Sequence, residues 1–263
     1  MDILEAIKIR KSVRSYSDRP IDADMRARLQ KAIDDSYSLF GGRVDIRLKS
    51  FDLKAGFKPS TYGFIKGASE FFLLGVGDDE ESALTAGFRF EQVVLKATEL
   101  GLGTCWIAGT FKDTDFAKDE KWPEGETLKM VCPVGYADKP RFMEKLGRKA
   151  MGSDNRLPID KIFFKDNFNK PLDESNPFIE PLKMLRLAPS STNSQPWRIL
   201  VEGNKVLFYY KPKSKVSVVD MGIGICHFYE TEKYNGLDGK FFKEVSYPQP
   251  PEDWKYLLSY TRE

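Results

Sequence analysis

The pattern of apolar and polar positions predicts alternating helices and strands through the first half of the chain. Apolar residues recur at helical spacing near the N-terminus and alternate with polar residues farther on, as they do in a strand. Capping residues at 78–82 precede a long amphipathic segment. The predicted elements are a helix around 3–7, a helix capped by Asp22, strands at 44–48 and 71–76, a helix at 83–100 ended by Gly101 and Gly103, and a strand at 129–136.

The same mixture of periodicities continues in the second half. A polar stretch at 153–176, interrupted by an apolar triplet at 162–164, is interpreted as a connection. The tail from Phe241 contains three prolines and Trp254, and we expect it to wrap over other structure. The elements predicted between them are a helix at 177–187, a hairpin of strands 197–201 and 205–210, and a helix from Met221 capped by Asp220.

A repeated spacing points to two related halves. Gly87 and Gly101 are separated by 101 − 87 = 14 residues, and Gly222 and Gly236 by 236 − 222 = 14 residues. Each pair spans a capped helix that follows a strand, and internal similarity of this kind indicates a duplicated unit. We therefore predict two divergent copies of one α+β unit, residues 1–152 and 153–263.

The amino-acid composition and the net charge argue against some classes of protein function. The 263 residues carry 41 Lys and Arg against 39 Asp and Glu, a formal charge of +2, which argues against a nucleic-acid or membrane partner. No apolar run approaches the ~20 residues of a membrane-spanning helix, and the N-terminus lacks an export pattern. Three scattered cysteines fit reduced thiols, so we expect a cytoplasmic protein.

The chain contains few histidine and cysteine residues that could bind a metal or act as catalytic groups. His227 is the single histidine of the chain, which leaves little material for a multi-histidine metal site or a His-based triad. Cys105 has no neighbouring positive charge that would favour a thiolate. We therefore expect no metal site and interpret His227, Cys105, Cys132 and Cys226 as structural.

Two segments carry candidate chemistry. Residues 187–197, Leu-Ala-Pro-Ser-Ser-Thr-Asn-Ser-Gln-Pro-Trp, crowd hydroxyls, amides and backbone N–H groups beside an aromatic ring. Such a surface suits a planar ligand with polar edges, although an ordinary helix-to-strand loop has the same composition. Near the N-terminus, Arg10, Lys11, Ser12 and Arg14 can bind a phosphate through charge-assisted hydrogen bonds, or form a solvated basic helix end.

Three motifs resemble those of the FMN-dependent nitroreductase family. They are the Pro-Ser-Ser-x-Asn loop at 189–193, the Arg-Lys-Ser-Val-Arg block at 10–14, and the segment 101–111, Gly-Leu-Gly-Thr-Cys-Trp-Ile-Ala-Gly-Thr-Phe. The resemblance implies an α+β three-layer sandwich that binds FMN. It also implies a ping-pong cycle in which NAD(P)H reduces the flavin and a nitroaromatic, quinone or similar acceptor reoxidises it.

The resemblance also assigns residues to the flavin. Because the cofactor carries the chemistry, no catalytic side chain is expected. The expected phosphate ligands are Arg10, Lys11, Ser12 and Arg14, with Arg148 and Lys149 as further basic candidates. The expected contacts along the flavin edge are Trp106, Ile107, Ala108 and Gly109, and those from the loop are Pro189, Ser190, Ser191, Asn193 and Gln195.

The order of the motifs departs from that family. In ordinary members the Pro-Ser-Ser-x-Asn loop lies roughly one helix after the basic block, and two subunits of a homodimer share each FMN. Here the loop lies far downstream, so the two halves are expected to pack as an intrachain pseudo-dimer with one flavin site. A monomer then suffices, although further dimerisation remains open. Alternative functions are a narrower flavin-dependent reduction, a flavin-binding module whose tail blocks the second substrate, or a protein that has lost the cofactor.

Overall fold

Two β-sheets enclose a pair of long helices in the computed structural model, which describes residues 1–53, 58–118, 120–140, 152 and 155–263. The helices of these residues are α1 (Ile3–Ile9), α2 (Ala23–Asp35), α3 (Glu80–Glu99), α4 (Asp113–Ala117), α5 (Ile179–Arg186) and α6 (Ser217–Tyr234). The strands are β1 (Val44–Ser50), β2 (Glu70–Gly77), β3 (Gly103–Thr104), β4 (Glu126–Gly135), β5 (Phe163–Lys165), β6 (Asn167–Pro171), β7 (Trp197–Glu202), β8 (Lys205–Tyr210), β9 (Gly239–Phe242) and β10 (Lys255–Arg262). Helix and strand thus alternate in both halves, as the sequence predicts for an α+β fold.

The first sheet has the order β1-β2-β4-β3, and its pairs are antiparallel. All eight residues of β2 are buried, because α3 covers one face and a second apolar cluster covers the other. Phe72 and Leu74 face the helices, whereas Phe71 and Leu73 join the cluster on the far side. This two-sided burial explains why β2 is a continuous apolar run rather than an alternating one.

The second sheet has the order β6-β5-β7-β8-β10-β9. Strands β7 and β8 form the predicted hairpin, with Gly203 in the left-handed region at φ +58°. Ile199 and Phe208 share the main core with α3 and α6, and a smaller cluster that contains Leu200 and Leu207 covers the opposite face. The helical layer therefore lies between two sheets, which is the three-layer arrangement expected.

The two halves repeat the same connections. The strands β1, β2, β4 and β3 of the first sheet have the same order as β7, β8, β10 and β9 of the second. Both long helices also end alike: Leu102 N–H donates to Ala97 O at 2.9 Å, and Leu237 N–H donates to Glu232 O at 3.0 Å. These residues are related by one offset, since 237 − 102 = 135 and 232 − 97 = 135. The glycines that follow the helices, Gly101 and Gly236, have φ of +77° and +71°.

Helices α3 and α6 cross at the two glycines that the repeat makes equivalent. A Cβ built on Gly87 would lie 2.1 Å from the Val219 carbonyl oxygen, and one on Gly222 would lie 2.2 Å from the Leu84 carbonyl oxygen. Only glycine permits so close an approach of two backbones. Gly87 and Gly222 are separated by 222 − 87 = 135 residues, the same offset that relates the two helix ends.

Replacing Gly87 with alanine is expected to lower the free energy of unfolding by about 1–2 kcal/mol. Overpacking at the crossing costs ~1–3 kcal/mol, and the gain in helix propensity offsets part of it. Urea unfolding followed by circular dichroism measures the change. Gly41→Ala is the control, because its added Cβ would meet only the flexible end of the Glu81 side chain. If the helices touch as described, the loss in the Gly87→Ala/Gly222→Ala double variant differs from the sum of the single losses; a simple sum would contradict direct contact.

The predicted elements are confirmed with several corrections at their ends and connections. Helix α3 begins at Glu80, because the Asp79 carboxylate accepts a hydrogen bond from Ser82 N–H at 2.7 Å, and β4 begins at Glu126. Gly103 does not end the helix but lies within β3. The connection at 153–176 contains the short strands β5 and β6; β6 is almost wholly exposed, so its residues need not be apolar.

The sequence predicts Asp220 as the N-cap of the last helix, and this prediction is wrong. Helix α6 begins three residues earlier, at Ser217, after a turn held by hydrogen bonds from the Lys213 and Ser214 N–H groups to the Ser217 hydroxyl. The tail from Phe241 is expected to wrap over other structure, and this holds only in part. Its last strand, β10, lies inside the second sheet between β8 and β9. None of the helices in the described ranges has the length and apolarity that crossing a membrane requires.

Candidate functional site

A cavity of about 750 Å³ opens between the two halves. Four stretches of chain form its wall, at 8–14, 106–110, 187–193 and 214–223. Twelve of the residues singled out from the sequence line it: Arg10, Lys11, Ser12, Arg14, Trp106, Ile107, Ala108, Gly109, Pro189, Ser190, Ser191 and Asn193. A cleft of this size with convergent polar groups is the candidate ligand site of the molecule.

The basic block is held in an extended conformation after α1. Ser12 forms a parallel bridge with Thr104, and Val13 N–H donates to Thr104 O at 2.8 Å. Val13 packs directly on Gly103, where a Cβ would lie 2.6 Å from its side chain. A second contact, from Lys66 N–H to Arg14 O at 2.9 Å, fixes the end of the block. The first half thus joins the basic block to the segment at 104–110.

Arg14 retains hydrogen-bonding capacity inside this wall. Its guanidinium lies 4.9 Å from the centroid of the Phe64 ring. The Nε and Nη1 atoms are buried and have no hydrogen-bond partner within the part of the chain that the structure describes. Arg14 also lines the cavity, so its positive charge favours an anion bound there.

Arg10 belongs to a buried cluster centred on Glu91 of α3. The Glu91 carboxylate accepts from Trp106 Nε1–H at 2.8 Å and lies 3.0 Å from His227 Nε2 and 3.8 Å from Arg10 Nε. Glu91 and His227 are fully buried. The ring nitrogens of His227 bridge the two halves of this cluster, since Nδ1 lies 3.1 Å from the Met184 carbonyl oxygen and Nε2 lies 3.0 Å from the Glu91 carboxylate. The cluster connects both halves and fixes two residues of the cavity wall.

The segment at 106–110 presents its backbone to the cavity. Ile107 forms two hydrogen bonds with Val131, at 3.0 and 2.9 Å, which anchor the segment to β4. A Cβ built on Gly109 would meet no atom within 4 Å, so this residue borders open space. Small residues at 108 and 109 therefore leave the main chain accessible to a ligand, as the sequence predicts.

The loop at 187–197 has a strained backbone. Of the five non-glycine residues with positive φ in the described ranges, three lie in this loop: Thr192 at 50°, Asn193 at 57° and Gln195 at 46°. Ser190 Oγ accepts from Gln195 N–H at 2.9 Å, and Asn193 Nδ2 donates to Gly152 O at 2.7 Å. Such strain persists only where surrounding contacts impose it, and it is concentrated at functional sites.

Some predicted residues lie elsewhere. Gln195 is buried behind the loop, where its Oε1 accepts from Leu157 N–H at 2.8 Å, and it does not line the cavity. Arg148 and Lys149 fall outside the described residues. Trp254 lies on the outer face of the second sheet, 5.6 Å from the Phe164 ring centroid, and it is not part of the cavity wall.

Sequence reasoning missed several residues of the wall, notably Phe64, Arg156, Lys215 and Asp220. Phe64 and Arg156 lie in stretches without a motif. Asp220 accepts hydrogen bonds from Ser191 N–H, at 3.1 and 3.2 Å, and from Ser194 Oγ at 3.4 Å. Burial raises the pKa of the Asp220 carboxyl to about 7, although those hydrogen bonds act to lower it. The sequence feature that could have indicated a site residue is the position of this acid within the apolar sequence Val218-Val-Asp-Met-Gly222.

The cavity is basic although the whole chain is nearly neutral. Six cationic side chains line it, namely Lys8, Arg10, Lys11, Arg14, Arg156 and Lys215, whereas Asp220 is the one acid among the described lining residues. A wall with this charge, beside planar aromatic groups, favours a ligand that combines a ring with an anionic group.

Comparison with known proteins gives one family. The family model described as "Putative TM nitroreductase" matches residues 2–231. A crystal structure from Thermotoga maritima MSB8 that bears a similar nitroreductase description shares the fold, with a TM-score of 0.63 and 22% identity. That match covers 100% of this chain and 93% of the other. No curated protein matches the sequence.

Smaller nitroreductases align with little more than half of the chain. One from Bacteroides fragilis with bound FMN has a TM-score of 0.42 and 17% identity, over 54% of this chain and 91% of its own. The NADH dehydrogenase/NAD(P)H nitroreductase structure from Parabacteroides distasonis has a TM-score of 0.42 and 23% identity, over 53% of this chain and 89% of its own.

Proposed function

The chain belongs to the TM nitroreductase family, and from this premise we propose that it is an FMN-dependent NAD(P)H oxidoreductase. The observation that carries the proposal is the meeting of three motifs on one cavity wall. Arg10–Arg14, Trp106–Gly109 and Pro189–Asn193 are far apart in sequence and line one space. Family membership supports the reaction class, and the cavity supports the cofactor.

The residues present fit FMN. A phosphate would be bound by the positive charge of Arg14 in the cavity wall, with Lys11 and the Ser12 hydroxyl beside it. The exposed backbone at Ala108 and Gly109 suits the edge of a planar ring, and the hydroxyls and amide of Ser190, Ser191 and Asn193 suit its polar atoms. Gln195 would act indirectly, by supporting the loop from behind. Arg148 and Lys149 remain candidates for the phosphate.

When bound, FMN would supply hydride transfer through its N5 atom, from NAD(P)H to a nitroaromatic, quinone or similar acceptor in a ping-pong cycle. The protein's own residues would bind and orient the cofactor and exclude water. The Glu91 cluster would hold Arg10 and Trp106 in place. No catalytic acid, base or nucleophile is assigned.

We further infer that residues 1–152 and 153–263 are two half-units that form an intrachain pseudo-dimer. The matching strand orders and the Gly87–Gly222 crossing support this division. The second half lacks an Arg-x-Ser-x-Arg block, so one flavin site per chain is expected. Such a monomer would need no second subunit to complete the site. The three free cysteines agree with a reducing compartment such as the cytoplasm.

The alternative functions differ from the proposed one in whether a second substrate reaches the flavin and in how many acceptors it reduces. A narrower flavin-dependent reduction would use the same cavity with a smaller set of acceptors. A flavin-binding module needs something to block that substrate, and the tail around Trp254 is less suited to do so because it packs on the outer face of the second sheet.

A visible spectrum tests the proposal most directly. The purified protein, or the protein after addition of FMN, is expected to show the flavin absorption bands and to lose them on anaerobic addition of NADPH or NADH. A quinone added afterwards should restore them. Bound flavin that neither nicotinamide reduces would favour the binding module, and failure to bind FMN would overturn the assignment.

A further inference from the structure

Asp220 is a buried acid in the wall of a basic cavity, and it forms no ion pair with any of the residues that the structure describes. Its side chain lies in the first turn of α6 and only 4% of the residue is exposed. The donors that reach it are Ser191 N–H and Ser194 Oγ, both from the loop at 187–197. The buried carboxyl therefore faces the ligand space with dipoles around it rather than a compensating charge.

The charged groups around Asp220 lie in the same cavity wall or on the same helix, but among the described residues they form no ion pair with its carboxylate. On its own segment, Lys215 precedes it, and farther along α6 His227 is paired with Glu91 of α3. The cavity wall contributes Lys8, Arg10, Lys11, Arg14 and Arg156. Among the described residues none of these cations forms an ion pair with Asp220. Burial accordingly dominates and raises the pKa of this carboxyl to about 7.

We propose that Asp220 is a proton-linked cofactor-binding residue, which takes up one proton from solvent onto a carboxylate oxygen when FMN fills the cavity. The inference rests on the proposed function. A ligand that fills the cavity shields the carboxyl further from solvent and brings a phosphate dianion into the same cavity, and both changes favour the neutral acid. A neutral Asp220 can still accept from Ser191 N–H and can donate its O–H into the cavity.

The direction of the pH effect follows from linkage. With a pKa of about 7 in the free protein, Asp220 is mostly ionised above that pH, whereas the complex keeps the proton to a higher pH. FMN binding above pH ~7 therefore consumes a proton, and the dissociation constant rises with pH, by up to about tenfold per pH unit. Below pH ~6 Asp220 holds the proton in both states and its contribution to the dependence vanishes.

Calorimetric titration with FMN at pH ~7.5, in HEPES and in Tris, gives the number of protons exchanged, because the two buffers differ in ionisation enthalpy. The wild-type protein is expected to take up about 0.5–0.8 proton per FMN, and the Asp220→Asn variant close to none. The matched control is Asp24→Asn, an exposed carboxylate on α2, which should behave like the wild type.

The outcomes separate the two proposals. Wild-type protein that binds FMN without proton uptake, or with release, overturns the role of Asp220 whether or not the variant folds. Equal uptake by the wild type and Asp220→Asn assigns the proton to another group and also overturns it. Absence of FMN binding to the wild type overturns the proposed function and this inference with it.

Discussion

Replacing Glu91 with leucine is expected to lower the free energy of unfolding by about 3–5 kcal/mol. The fully buried carboxylate accepts from Trp106 and lies 3.0 Å from His227 Nε2, and Arg10 lies 3.8 Å away. Leucine fills a similar volume but leaves a buried indole N–H and a histidine without their common partner, and it removes the negative charge opposite the Arg10 guanidinium. Denaturant unfolding followed by far-UV circular dichroism measures the loss.

The matched control for this change is Glu99→Leu on the same helix. Glu99 pairs with Lys96 at 2.7 Å near the surface, and its loss should change stability by less than about 1 kcal/mol. Similar losses in the two variants would contradict the central place of Glu91. Glu91→Gln should fall between them, because its amide keeps one acceptor oxygen for the cluster.

Replacing Arg14 with alanine is expected to weaken FMN binding by about 1.5–3 kcal/mol, roughly 10- to 150-fold in the dissociation constant. The reason is the loss of a guanidinium from the cavity wall, where it would form charge-assisted hydrogen bonds with the phosphate. Quenching of flavin fluorescence on titration with protein measures the constant. Arg14→Lys should recover part of the affinity, because it keeps the charge but not the fork of donors.

Two controls isolate the phosphate. Arg28→Ala removes an equal charge from the exposed face of α2, away from the cavity, and should leave FMN binding unchanged. Riboflavin lacks the phosphate, so Arg14→Ala should bind it as the wild type does. An equal loss for riboflavin and FMN would mean that Arg14 acts through its packing on Phe64 and not through the phosphate. Arg10→Ala is a poorer test, since Arg10 also belongs to the Glu91 cluster.

Local chemistry made much of the fold predictable. Asp22 accepts from Met25 N–H at 2.8 Å, as an N-cap residue does, and the helix behind it follows from its apolar spacing. The hairpin at 197–210 has its turn where Gly203 permits it. These features depend on residues within a few positions of each other, so a single sequence contains the information.

The wrong predictions concern features that distant neighbours decide. Strand β5 has three residues and exists because it pairs in parallel with β7, from which it is separated by more than thirty residues. Asp220 has the composition of a helix cap, yet its carboxylate binds the backbone of Ser191. A side chain forms hydrogen bonds with the groups that the tertiary structure places near it, and the sequence alone does not give the distances between residues that are far apart in the chain.

By itself, the sequence determined the α+β class, the main helices and strands, and three motifs that resemble those of the nitroreductase family. The tertiary structure decided that Arg10 and Asn193 line one cavity, that Gln195 turns away from it, and that Asp220 enters it. The physical reason is the crossing of α3 and α6 at Gly87 and Gly222, a long-range packing contact that sets the position of one long helix against the other.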